Sequence, residues 1–329
     1  MLETKKHRPC LLYYDMLSYC DTVRGLLEEH FQVITLPDPS YDTDDILKTV
    51  EVCMAPLGFK FDRAKIDKCP KLKVIASSTL SVPHIETDYA MLKGIGVCSL
   101  SNEKEFMKSI TPTSELTWGL IIALTRRIPW AHKMVCSGQW NGRELGRKTP
   151  KMLSRMNLGI IGLGRLGSLV AAYGKAFGMR VYYYSPTSRD DSYERCENLS
   201  DLAACSDIVS VHAHLTPQTV KIINMDFIQA MRPGSFIINT ARGALIDESA
   251  LLNALQSGHL GGAALDVLAE EYELDFKASL KNSPLVEYAK SHDNLIITPH
   301  YAGATIDAWE KTQMRFFDLL YEAINVKNH

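Results

Sequence analysis

The stretch "LGIIGLGRLGSLVAAYG" constrains this chain more than any other. Glycines 162, 164 and 167 stand in GxGxxG spacing, directly after an apolar run. A segment with apolar residues at 166, 169, 170 and 173 follows at once. An apolar strand that closes on such a turn and opens into a helix is the entry to a βαβ unit. Gly162 allows the tight turn, Gly164 lets a pyrophosphate approach the backbone, and Gly167 lets helix and strand pack closely. The helix start offers free N–H groups and a favourable dipole to the phosphates.

The surroundings repeat the pattern. The runs "MNLGIIGL", "MRVYYYS", "DIVSVHAH", "GSFIINT", "GGAALDV" and "NLIITPH" alternate with helical connections, as six strands of a dinucleotide-binding sheet do. An earlier series, "PCLLYY", "FQVITL", "EVCMAPL", "LKVIASS" and "GVCSL", predicts a second parallel α/β sheet. Between the series, "SITPTSELTWGLIIALTRRIPWAHKMV" reads as one long helix, apolar nearly all round, with Thr111 as N-cap, Pro112 at the first position and Glu115 as a buried polar partner. The final "ATIDAWEKTQMRFFDLLYEAINV" is one amphipathic helix. If it packs on the first sheet, the chain crosses between domains twice. The expected fold is thus α/β with two parallel-sheet domains: 1–103 with 303–329 as substrate (catalytic) domain, and 104–302 as dinucleotide-binding domain. A length of 329 residues accords with two cores.

Composition excludes rather than assigns. With 46% hydrophobic and 22% charged residues and a net charge of −2, nothing points to nucleic acid or a membrane surface. The start, "MLETKKHRPC", lacks an apolar leader core, and no apolar run reaches membrane length. Eight cysteines without a CxxC pair read as reduced thiols of a cytoplasmic protein. His212 and His214 in "VSVHAHLTP" alternate faces with no third ligand nearby, so no metal site is expected.

Three later segments carry chemistry. "NTARGALID" places Arg242 after a strand, "ALDVLAEEYE" places Asp266 after the next with Glu270 and Glu271 beyond, and "NLIITPHYAG" places His300 after the last. Parallel strands bring such residues to one sheet edge. Singly, each is ordinary: a surface arginine, a solvated glutamate pair, a loop histidine. Together they supply what reduction of a 2-oxo acid needs. A guanidinium holds the carboxylate bidentately, a protonated imidazole gives its proton to the carbonyl oxygen, and a carboxylate orients that imidazole. Tyr301, beside His300, is a candidate for lining the pocket.

On these segments, in this order, the chain resembles the D-isomer-specific 2-hydroxyacid dehydrogenases, most strongly from about 156 to 303. The resemblance implies a Rossmann dinucleotide-binding domain inserted into a flavodoxin-like substrate domain, in a homodimer whose interface uses the helix from about 112. It implies that Arg242 binds substrate, that His300 is the acid/base supported by Glu271, and that Asp266 contacts the nicotinamide carboxamide. Further cofactor contacts are implied from Arg165, Leu166, Ala213, Thr240 and Gly303. Backbone amides of Leu80 and Ser81 are implied for the substrate carboxylate.

Four positions depart from the family pattern. Tyr272 stands where a proline usually follows the catalytic glutamate, which leaves Glu270 as a competitor for Glu271. In "SSTLSVPHIE", Ser81 takes a glycine slot and Pro83 an aspartate slot, and a positive φ at Ser81 would be costly. In "VYYYSPTSRD", Ser185 stands where an acidic residue usually holds the adenosine ribose. Its hydroxyl, with Thr187, Ser188 and Arg189, reads as tolerance of NADP and a lean to it over NAD, with Asp190 opposing a strongly positive pocket. Two rival functions remain on the same fold: a cofactor-sensing, corepressor-like binding protein, and a dehydrogenase of formate or phosphite type.

Overall fold

The computed structural model describes residues 8–273 and 276–326. Most of the segment read as lacking a leader, residues 1–7, lies outside them, as do the last three residues of the expected substrate domain. The chain divides into two compact units, residues 1–110 with 305–329 and residues 111–304.

In the first unit the strands are β1 (Cys10–Tyr14), β2 (Gln32–Leu36), β3 (Val52–Met54), β4 (Val74–Ser77) and β5 (Gly96–Ser99). They pair in parallel in the order β2-β1-β3-β4-β5. That is the flavodoxin-like order, with its reversal between β1 and β3. Strands covered on both faces need apolar residues in succession, which is why "CLLYY" and "VIAS" do not alternate. Leu11, Tyr13, Val52 and Val74 face one layer, while Leu12, Tyr14, Cys53 and Ile75 face the other. The last helix, Ile306–Val326, buries Phe316, Phe317, Leu320 and Ile324 in the first of these layers.

The second unit holds β6 (Asn157–Ile161), β7 (Arg180–Tyr184), β8 (Glu194–Arg195), β9 (Ile208–Val211), β10 (Ser235–Asn239), β11 (Leu260–Leu265) and β12 (Leu295–Ile297). Their order is β12-β11-β10-β9-β6-β7-β8, all parallel, a Rossmann sheet. Beyond the six expected strands stands β8, two charged residues with no apolar run to announce it. The register decides where chemistry can sit. Tyr184, Ile161, Val211, Asn239, Leu265 and Ile297 form one row across the sheet. The next residue on each strand therefore emerges at the same carboxyl edge.

The expected single long helix is two. One spans Pro112–Thr125, the next starts at Ile128, and Arg127 between them is left-handed at φ 58. Pro129 causes the break: it has no N–H for the carbonyl four residues back, and its ring would strike that carbonyl. Leu120, Ile121 and Leu124 of the first helix lie in the core beside β6 and β11 residues. Thr111 stands at the N-cap position with Pro112 following, as expected, but its side chain accepts no capping bond; its hydroxyl donates to Glu115 Oε1 at 2.5 Å. Glu115 is exposed, not the buried partner expected: it lies on the helix's one polar turn.

Candidate active site

The glycine turn obeys excluded volume. Gly162 sits at φ 91, and a Cβ there would lie 2.8 Å from the His212 carbonyl oxygen. A Cβ on Gly167 would enter the Gly162 carbonyl oxygen. Gly164 has no protein atom within 4 Å of where its Cβ would stand, so space is open beside the helix start. No side chain caps the helix Arg165–Ala176. Its first N–H groups are left for an anion. Leu166 and Ala213 are partly buried at this edge, and burial pulls the Arg165 guanidinium below its ordinary value. These residues fit a dinucleotide, whose phosphates the uncapped helix would hold.

The neighbouring turn, after β7, is built differently. Ser185 is only 3% exposed, and its Oγ accepts from Ser188 N at 3.2 Å. That bond uses one lone pair of the oxygen, and the Ser185 O–H remains a donor. Thr187 and Arg189 are exposed, and Arg189 forms no ion pair among the described residues. Asp190 turns back to accept from Ser192 N at 2.9 Å, which holds its carboxyl below the usual range.

At the end of β10, Asn239 is fully buried; its side-chain amide donates to the Arg242 carbonyl at 2.9 Å and its oxygen accepts from Ala241 N at 3.0 Å. The loop is thereby held as a rigid turn. Gly243 lets that turn lie against the Leu268–Ala269 backbone, where any Cβ would collide. Arg242 bonds only the Ala241 carbonyl, at 2.6 Å, and pairs with no carboxylate among the described residues. A part-buried guanidinium without a counter-ion is suited to an anionic ligand. Thr240 is buried, its hydroxyl 2.7 Å from that of Thr117.

Asp266, after β11, is completely buried. Its carboxylate takes Thr298 Oγ1 at 2.5 Å, Tyr301 N at 3.2 Å and Ala302 N at 2.9 Å, and its carbonyl takes His300 N at 2.8 Å. Asp266 thus clamps the loop after β12. His300 sits there at φ 48, a conformation costing about 1–3 kcal/mol in a residue with a side chain. Its Nδ1 meets Glu271 Oε1 at 2.9 Å, and its side chain is 35% exposed. Nε2 finds no partner among the described residues and is left to face a ligand. Glu270 is exposed at φ 60, and Glu271 is the glutamate that pairs with His300. Behind them Glu248 Oε1 accepts from Ala269 N at 2.7 Å and steadies the segment. Tyr301 is 45% exposed beside His300, and Gly303 approaches Thr113.

Leu80 and Ser81 belong to the other unit, in the turn after β4, and both are exposed. Ser81 does not adopt positive φ, so the strain expected there does not arise. Thr79 Oγ1 donates to the Ser81 carbonyl at 2.8 Å and stiffens the turn. His212 is pulled down to about 4 by burial and bonds Ser210, and no group of three metal-ligating side chains occurs among the described residues.

Two family models match the chain: the NAD binding domain of D-isomer specific 2-hydroxyacid dehydrogenases over residues 118–302, and the catalytic domain over residues 11–105. The chain belongs to this family. It is 36% identical over 272 residues to D-3-phosphoglycerate dehydrogenase of Methanocaldococcus jannaschii, covering 80% of this chain and 47% of that protein. The chain thus spans about half the length of that relative. D-lactate dehydrogenase from Aquifex aeolicus, solved with NAD and lactic acid, matches with a TM-score of 0.81 at 29% identity, covering 96% and 95% of the two chains. An NADPH-dependent glyoxylate/hydroxypyruvate reductase from Sinorhizobium meliloti, solved with NADP and malonate, matches at 0.78 and 26%, covering 96% and 93%. The Rossmann unit therefore matches the NAD binding domain of this family, and no helix among the described residues is long and apolar enough to cross a membrane.

The sequence did not flag Asn239, Glu248 or Thr298 as site residues, and noted Tyr272 only as a departure. Thr298 is the one with a local signal, since it is the first residue past the β12 row.

Proposed function

We propose that this protein interconverts a small 2-oxo acid and its D-2-hydroxy acid with NAD(P) as the redox partner. The observation that carries this is the triad at one sheet edge: an Arg242 guanidinium with no carboxylate partner among the described residues, and His300 held through Nδ1 by Glu271. When bound, the reduced nicotinamide supplies a hydride to C2 of the oxo acid. Arg242 fixes the substrate carboxylate with paired N–H groups, which orients the carbonyl. His300 Nε2 gives its proton to the carbonyl oxygen, and takes it back in the reverse direction. Glu271 keeps Nδ1 the hydrogen-bearing nitrogen and stabilises the charged ring. Asp266, with its carboxylate engaged by the 298–302 loop, acts here first as the clamp that aims His300; contact with the carboxamide would use its remaining acceptor capacity.

Apolar side chains left bare on and after the helix Ile128–Cys136, Ile128 at 50%, Val135 at 50% and Trp140 at 89% exposed, suit a homodimer contact, which sedimentation equilibrium would show as twice the chain mass. A matrix of glyoxylate, hydroxypyruvate, pyruvate and bulkier 2-oxo acids against NADH and NADPH tests the activity. Cofactor oxidation with at least one acid supports it. Silence across the matrix, with formate or phosphite oxidised instead, would transfer the site to another substrate class.

A further inference from the structure

Tyr272 follows Glu271 directly and turns back onto the same imidazole. Its hydroxyl lies 3.4 Å from His300 Nδ1, and the two rings stand 5.9 Å apart at 58°. Glu271 is the stronger partner of Nδ1 at 2.9 Å, so the tyrosine oxygen takes the weaker, second branch. Burial, with the charge of Glu271 next, pushes the Tyr272 hydroxyl above its ordinary value, and Arg242 only partly opposes this. The phenol therefore stays neutral throughout the working pH range. It can share the Nδ1 hydrogen without adding a charge. The ring packs beside the imidazole, and the Glu271 side chain that holds this imidazole is itself only 10% exposed.

We infer that Tyr272 is a positioning residue for the Glu271–His300 pair, with the hydroxyl steadying the ring through Nδ1 and the ring keeping water off the ion pair. This rests on the dehydrogenase reading above only for its consequence in turnover. Among the described residues, the Asp266 carboxylate is taken by the 298–302 loop and Glu248 by the Ala269 amide, while Glu270 and Glu273 are solvated. Removing the phenol leaves water as the replacement. Water weakens the Glu271–imidazolium attraction, because the pair's energy falls as the local dielectric rises.

The test uses the full chain carrying Tyr272→Phe or Tyr272→Ala, both at a 42% exposed position that tolerates change. Rates of 2-oxo acid reduction are followed from about pH 5 to about pH 9. In Tyr272→Phe we expect kcat to fall about threefold with KM nearly unchanged, and the alkaline limb to move about 0.3 pH unit lower. In Tyr272→Ala the limb moves about one unit lower and kcat falls about tenfold. An NMR titration of the His300 ring in protein free of substrate and cofactor, assigned by its loss in His300→Gln, reports the same shifts without turnover. Unchanged pH profile and unchanged ring titration in both variants would overturn the inference, even if KM moved. A wild-type protein that turned over no 2-oxo acid would defeat the dehydrogenase reading, while the NMR arm would still decide the part played by Tyr272.

Discussion

The turns after β6 and after β7 leave neighbouring strands at the same row of the same sheet, where Ile161 pairs with Tyr184, yet they are specified by different physics. The first is fixed by excluded volume: side chains at 162 and 167 would occupy space already held by backbone. The second is fixed by one hydroxyl, Ser185 Oγ on Ser188 N, which other small polar residues can imitate. Backbone collisions leave a sequence no alternative, so the phosphate-facing turn carries a motif. A hydrogen bond leaves several alternatives, so the turn after β7 is free to vary. We propose that binding of a dinucleotide and choice between dinucleotides are thus separately encoded.

Substitution at the first turn should have the larger effect. Gly167→Ala forces a methyl against the Gly162 carbonyl, and overpacking against backbone costs about 3 kcal/mol, at the upper end of the usual range. We expect melting about 10 °C lower and loss of NADH binding by fluorescence titration. A variant that melted and bound as the parent does would show that the turn is looser than its geometry. Ser185→Asp should be milder, since a carboxylate oxygen can also accept from Ser188 N. The second oxygen would meet a ribose 2′-hydroxyl favourably and a 2′-phosphate badly. The ratio of NADPH to NADH dissociation constants should rise about tenfold. In the parent, with exposed Thr187 and unpaired Arg189 on this turn, we expect NADPH to bind at least comparably to NADH. Binding of NADPH more than about tenfold weaker than NADH in the parent would contradict the lean to NADP.

The same contrast explains what the sequence disclosed. Arg242, Asp266 and His300 were legible because each apolar run ends in register, so the next few residues must reach one edge. The two sheets followed from unbroken apolar runs, and the Rossmann entry from glycines that nothing else can replace. Interactions between segments distant in sequence were not legible. Nothing in "ALDV" announces that Asp266 will grip residues 298–302, and nothing in "EEYE" shows which glutamate turns inward. Glu270 in a left-handed conformation settles that locally, through backbone geometry that sequence does not print. The helix break at Arg127 was announced by Pro129, but the apolar pattern on both sides outweighed it. Ser185 was correctly placed at the strand end, while its burial depended on a turn that only coordinates reveal.

The central claim is that His300, aimed by the Asp266 clamp and held by Glu271, moves the substrate's proton. The most direct measurement compares 2-oxo acid reduction by His300→Ala with that of the parent, beside cofactor affinity for both. The account predicts a rate about 10²–10⁴-fold lower with cofactor affinity nearly unchanged. Near-normal turnover by His300→Ala would contradict it.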